Sequence, residues 1–232
     1  MAGANGSGKS TALREFIEKY PSRSLERSGR IVGYRLDLSE AGLAVPVFVV
    51  GRYETPSGGV DCLRTQAEIS ARILEAHALG HVLYEGAVVS SCGPGGQVVR
   101  AVHPTGCDVY AFMDTPLDLC IARVRGRRLV AGNAREFDPR NLRCKFRSVL
   151  ACRRNLLAGG YAVRVIDHRS AHAALLAILG ECEKDAPCPG DLPGHGAGPE
   201  AQERDRSLGR DAYSGRAPGG GSRVREGALG AD

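Results

Sequence analysis

Between Thr11 and Tyr20 the apolar residues Leu13, Phe16, Ile17 and Tyr20 recur at i, i+3, i+4 and i+7, and Pro21 follows. That spacing predicts a short amphipathic helix stopped by the proline. Arg30 to Leu36 and Val45 to Tyr53 predict strands on either side of a turn at Ser39 to Gly42. Thr55-Pro56-Ser57-Gly58-Gly59 is loop chemistry. Thr65 and Glu68 form a capping box, and Ile69, Ile73, Ala76 and Leu79 give the stripe of a helix that Gly80 closes. His81 to Tyr84 predicts a short strand followed by Glu85-Gly86, and Cys107 to Met113 another. Thr115 is expected to cap the next helix, with Pro116 in its first position. Asp138-Pro139 open a long helix carrying Leu142, Phe146, Val149, Leu150 and Leu157, closed by Gly159-Gly160. Ala162 to Ile166 is a last strand and Ala171 to Glu183 a last helix. Strands alternating with helices predict an α/β fold with a parallel, three-layer sheet.

The pattern stops near Asp185, where the chain turns to Gly, Pro, Arg, Asp and Glu with few large apolar residues. Such a segment buries too little apolar surface to offset its ordering entropy. The expected organisation is therefore a folded domain over residues 1–184 and a disordered tail over 185–232. The formal charge of +5 is a mild basic bias, compatible with an anionic substrate. Cys62, Cys92, Cys107, Cys120, Cys144, Cys152, Cys182 and Cys188 contain no C-x-x-C pair, and reduced thiols are the expected state. No apolar run approaches the length of a membrane span. A cytoplasmic protein is expected.

Before the first helix stands Gly3-Ala4-Asn5-Gly6-Ser7-Gly8-Lys9-Ser10, a complete Walker A sequence, with Thr11 following. Each part suits a nucleoside triphosphate. The glycines permit positive φ and bring backbone N–H groups against phosphate oxygens. Lys9 is placed for the β- and γ-phosphates and the Ser10 hydroxyl for magnesium. The helix aims the positive end of its dipole at the same anion. ATP and Mg²⁺ are the expected cofactors. A loop of this kind follows a buried strand, yet only Met1 and Ala2 precede it here. Either an apolar segment belongs before Met1, which is the preferred expectation, or the sheet lacks its central strand, at a cost in unpaired backbone.

Other residues could carry chemistry. Arg123, Arg125, Arg127 and Arg128 lie on and beyond the helix after Pro116, where a kinase of this architecture closes a lid over the transferring phosphate. A solvated basic face is the alternative. Asp61 lies between a strand and a helix, at the sheet edge where ligands of open α/β folds bind. It could take the proton of an attacking hydroxyl, or simply cap a turn. Glu85, at the end of an apolar strand, could order magnesium or hold substrate. Asp37 is a less well framed base, Tyr53 is a stacking or core residue, and His103 is a loop histidine. No Asn-Lys-x-Asp element for guanine and no strand-terminal Asp-Glu pair is present. Both absences favour a small phosphotransferase over a switch or a motor.

Taken in order, Gly3 to Thr11, Val50 to Thr55 with Gly58 to Asp61, Gly80 to Gly86 with Val89-Ser90-Ser91, and Met113 to Leu117 with Arg123 and Arg127-Arg128 resemble phage-encoded, thymidylate-kinase-like P-loop kinases. The series is also similar to the kinases that act on 5-hydroxymethyluracil (5-hmdU) in phage DNA. The likeness spans about residues 3 to 180. It implies a nucleotide-kinase-like P-loop fold and phosphorylation of the base's hydroxymethyl group in DNA, as a step in thymine hypermodification. It also implies action in the host cytoplasm. A kinase for a free nucleoside or nucleotide, or a non-catalytic nucleotide-binding protein, stays open beside it.

Overall fold

The computed structural model describes residues 1–55, 58–63, 65–86, 108–133 and 135–185. The chain divides into Met1–Cys188 and Pro189–Asp232, and every described residue belongs to the first unit. Asp185, expected to open the tail, instead ends the last helix, and residues 186–232 lie outside the described residues, as do Pro56-Ser57, Val89-Ser90-Ser91, His103, Cys92, Cys107 and Cys188.

The leading apolar stripe forms α1 (Lys9–Lys19), which buries Ala12, Leu13 and Phe16. Leu13 and Phe16 enter a core built from Leu36, Val47 and Val49 on one side and Leu175 and Leu179 on the other. The strands are β1 (Ser22–Arg27), β2 (Arg30–Leu36), β3 (Val47–Val50), β4 (His81–Tyr84), β5 (Val109–Asp114) and β6 (Ala162–Asp167). Among the described residues four further helices follow: α2 (Gln66–His77), α3 (Leu117–Val130), α4 (Arg140–Ala158) and α5 (Ala171–Asp185). In α2 the expected cap forms, with Thr65 Oγ1 accepting the Glu68 N–H at 3.1 Å.

The sheet is mixed rather than parallel. β1 to β4 lie side by side in chain order, antiparallel except for the parallel β3/β4 pair, and β5 pairs with β6 in parallel. Connection length explains the difference. A parallel neighbour needs a crossover of about a dozen residues or more. The link from β2 to β3 is only ten residues, part of it the short 3₁₀ turn Ser39–Ala41, so the chain simply reverses. β1 was not expected at all. It is polar and largely exposed, so no alternation marks it. Its turn residues Ser28 and Gly29 both have positive φ, 51° and 68°, as the tightest hairpins require.

Met1 and Ala2, which lead into the loop, lie between β5 and β4. The Ala2 N–H donates to Ala111 O at 2.8 Å, and Ala2 O accepts from the Met113 N–H at 2.9 Å, giving a parallel bridge to β5. On the other side the Met1 nitrogen donates to Tyr84 O of β4 at 2.6 Å. Thr115 does not cap α3. The cap position falls on Pro116, and Thr115 instead donates its buried hydroxyl to Ser7 O at 2.8 Å, tying the end of β5 to the Walker A loop. Among the described residues no helix is long and apolar enough to cross a membrane. Among the described residues Cys120, which is buried, and Cys144, which is exposed, form no disulfide.

Candidate active site

The loop from Gly3 to Gly8 turns back before α1 begins. Gly6 and Gly8 take positive φ of 83° and 98°, which places the start of α1 facing an open cleft. A helix leaves its first N–H groups without partners inside the helix, and here they belong to Lys9, Ser10 and Thr11. The Lys9 side chain folds back over the loop, donating to Gly3 O at 3.0 Å and Ala4 O at 3.1 Å. Its side chain is only 11% exposed. Burial lowers the Lys9 pKa, and the Glu85 carboxylate, 4.0 Å away, opposes that shift.

Glu85 stands at the end of β4 and is itself buried. Its Oε1 accepts the Ser10 hydroxyl at 2.5 Å. Asp61 is brought beside it by backbone pairing. The Val60 N–H donates to Glu85 O at 2.9 Å, and Arg52 and Gly59 form an antiparallel bridge. The approach leaves no room for side chains at two glycines. A Cβ on Gly59 would lie 2.5 Å from Glu85 O, and one on Gly86 would lie 2.7 Å from Asp61 Oδ1.

Gly59 also needs φ of +104°, which a residue with a Cβ adopts only under strain. Gly59→Ala should therefore cost about 1–3 kcal/mol or more and misplace Asp61 and Glu85 together. Thermal melting alongside turnover checks this, since a variant that melts and works like the wild type contradicts the close approach.

Asp61 and Glu85 border one cleft of about 760 Å³ with Gly3, Asn5, Gly6, Gly8, Lys9, Ser10, Thr11, Arg123 and Arg127. The four arginines of the expected lid divide. Arg123 and Arg127, one turn apart on α3, reach the cleft, and Arg123 donates to Gly6 O at 3.3 Å. Arg125 and Arg128 lie over the Phe137 ring at 5.9 and 5.7 Å, and Arg128 also holds Asn133 and Arg135 O. Ala4 and Ser7 of the Walker A segment are buried and do not face the cleft.

Tyr53 belongs to the core, where burial and the Glu85 charge push its hydroxyl well above its ordinary pKa. Asp37 lies outside the cleft. It is exposed, and its Oδ1 accepts the Ser39 N–H at 3.0 Å, which lowers its pKa.

Some residues of the cleft escaped the sequence reading. Arg14 lies one turn beyond Ser10 and donates to Tyr53 O at 3.0 Å and Thr55 O at 2.6 Å, so it fastens α1 to the loop that leads to Asp61. Its spacing from Ser10 is a helical signal that was available. His168 and Arg169 follow the C-terminal end of β6, the edge where such sheets bind ligands. The His168 Nδ1 lies 3.2 Å from Asp114 O, joining the ends of β5 and β6. Lys145 reaches the cleft from α4, which only the packing of that helix reveals.

An α/β protein with a lysine, two carboxylates, a hydroxyl and two arginines around one cleft has the equipment of a phosphotransferase. Comparison with known proteins agrees. The 5-hmdU DNA kinase of Pseudomonas phage PaMx11 is 34% identical over 185 residues, covering 77% of this chain and 95% of that kinase. The 5-hmdU DNA kinase of Pseudomonas phage M6 is 29% identical over 192 residues, with the same coverage of 77% and 95%. That of Delftia phage PhiW-14 is 31% identical over 165 residues, covering 65% of this chain and 60% of that kinase. The chain belongs to this family of phage 5-hmdU DNA kinases and is an ATP-dependent phosphotransferase. No family model matches it, and no solved structure does.

Proposed function

We propose that the protein phosphorylates the hydroxymethyl oxygen of 5-hydroxymethyluracil in phage DNA, in the host cytoplasm, as a step in thymine hypermodification. The observation that carries the chemistry is the meeting of Lys9, Ser10, Glu85 and Asp61 in one cleft. The acceptor rests on what the relatives are named for. In this reading Gly3 to Thr11 form the phosphate-binding loop of a P-loop nucleotide-kinase fold. Residues 1–184 are the kinase domain.

The residues present fit both cofactors. Ser10 and Glu85 offer hard oxygen donors side by side. Magnesium typically takes one or two protein carboxylates and completes its shell with phosphates and water. Glu85 and Ser10 would hold the ion, and the backbone N–H groups of the loop with Lys9 would hold the phosphates. ATP supplies the γ-phosphoryl group, and Mg²⁺ neutralises charge on its phosphates.

The remaining work belongs to the chain. Asp61 accepts the hydroxyl proton of the acceptor as its oxygen bonds to the γ-phosphorus and the bond to the β–γ bridging oxygen breaks, releasing ADP. Lys9, Arg123 and Arg127 compensate the negative charge on the transferring group, in a cleft that is partly shielded from water. Incubating the protein with γ-labelled ATP and, separately, hydroxymethyluracil DNA, unmodified DNA, thymidine monophosphate or no acceptor tests the reading. Label on the first DNA alone is expected. Label on thymidine monophosphate alone makes the protein a free-nucleotide kinase, and no transfer at all makes it a binding protein.

A further inference from the structure

The positive charge of this chain is concentrated in one place. Residues 123–154 hold eleven of the 31 lysines and arginines but only Glu136 and Asp138 of the 26 acids, so the rest of the chain is net negative. Within that segment, α4 carries Arg140, Arg143, Lys145, Arg147, Arg153 and Arg154 and no acid. Every other described helix contains at least one acidic residue.

The helical period sorts these cations. At 100° per residue, Arg140, Arg143, Arg147 and Arg154 fall within about 60° of one another. All of them are exposed. The opposite face buries Leu142, Cys152 and Leu156 and sends Lys145 to the cleft. The arginine stripe runs about 21 Å along the helix at 1.5 Å per residue. Among the described residues Arg140 has an ion pair, with Asp138 at 2.7 Å. The guanidinium groups of Arg143, Arg147 and Arg154 make no ion pair or hydrogen bond there.

Like charges three and four residues apart destabilise a helix, so the stripe works against the fold of α4. On α2 the signs are mixed instead, and Arg72 pairs with Glu75. A regular row of uncompensated guanidinium groups on a rigid helix suits a regular row of phosphates. One strand of a duplex passes about six phosphates in the same axial distance, at about 3.4 Å each.

We infer that the outer face of α4 is a docking surface for the sugar–phosphate backbone of DNA, with Arg143, Arg147 and Arg154 as the phosphate contacts. It holds the polymer while Lys145, on the inner face of the same helix, lies in the cleft. The inference rests on DNA as the substrate. The surface reads no sequence, because guanidinium groups on phosphates carry none.

The test measures binding of an unmodified 20-base-pair duplex across a salt series, without ATP. The variants are R143Q/R147Q/R154Q and a control, R23Q/R30Q/R35Q, which removes the same charge from exposed positions on β1 and β2. Losing three phosphate contacts should flatten the slope of log K against log salt by about 2–3 and weaken binding on the order of tenfold or more. The control should leave the slope unchanged, and the α4 variant should keep wild-type ATP binding and turnover at saturating DNA.

An unchanged slope in the α4 variant, or an equal loss in the control, overturns the docking surface. Because the assay needs no phosphoryl transfer, that failure is distinct from failure of the kinase reading, which would show as DNA bound but not phosphorylated.

Discussion

Lys9→Ala should lower turnover by at least about 10²–10³-fold, the usual scale for losing one preorganised donor to developing charge. Lys9 donates to two loop carbonyls and lies 4.0 Å from the Glu85 carboxylate, so its charge is held over the loop itself. A lysine standing in solvent in the empty loop could be lost at almost no structural cost. In the structure Lys9 is mostly buried and donates to Gly3 and Ala4 carbonyls, so alanine leaves both without that donor. Two effects then oppose each other. Lost hydrogen bonds cost roughly 0.5–3 kcal/mol, while an ammonium group no longer has to be kept out of water. The melting temperature should drop by a few degrees at most and the protein should stay folded. Steady-state transfer with thermal melting checks both, and a folded Lys9→Ala protein with full turnover would remove the phosphate role.

The second large effect separates the two carboxylates. Asp61→Asn should keep ATP binding and lower turnover by about 10²–10⁴-fold, the range for a general base. Glu85→Gln should act differently. Its amide oxygen can still accept the Ser10 hydroxyl, but the negative charge that Glu85 would present to a magnesium ion is lost. Its defect should therefore shrink as magnesium or substrate is raised, whereas that of Asp61→Asn should not. If Asp61→Asn works normally and Glu85→Gln is dead at saturating metal and substrate, Glu85 is the base. Asp37 is not the fallback, because its carboxylate is spent on the Ser39 turn away from the cleft.

The turn from Gly3 to Gly8 and its helix were legible because both signals are local: a fixed glycine motif, then an apolar stripe with a period of 3.6. The α2 cap was legible for the same reason. Strand direction was not, because it depends on the length of the link between β2 and β3 rather than on the strands themselves. β1 has no buried face, so its only trace is the Ser28-Gly29 turn. Asp61 and Glu85 could each be placed at the sheet edge, but their meeting depends on the Val60 to Glu85 hydrogen bond between distant segments. The division of the arginines was half legible. Arg123 and Arg127 share a helix face by spacing, while the stacking of Arg125 and Arg128 requires Phe137, beyond the end of α3.

The central claim is that the phosphoryl group ends on the hydroxymethyl oxygen of the base. The direct measurement is nuclease digestion of hydroxymethyluracil DNA after reaction with γ-labelled ATP, without phosphatase, followed by mass spectrometry of the nucleotides. The account predicts a hydroxymethyldeoxyuridine nucleotide heavier by one phosphoryl group, with the label on its base fragment. Label found at the 5′ ends of the strands, or only as free phosphate, would contradict it.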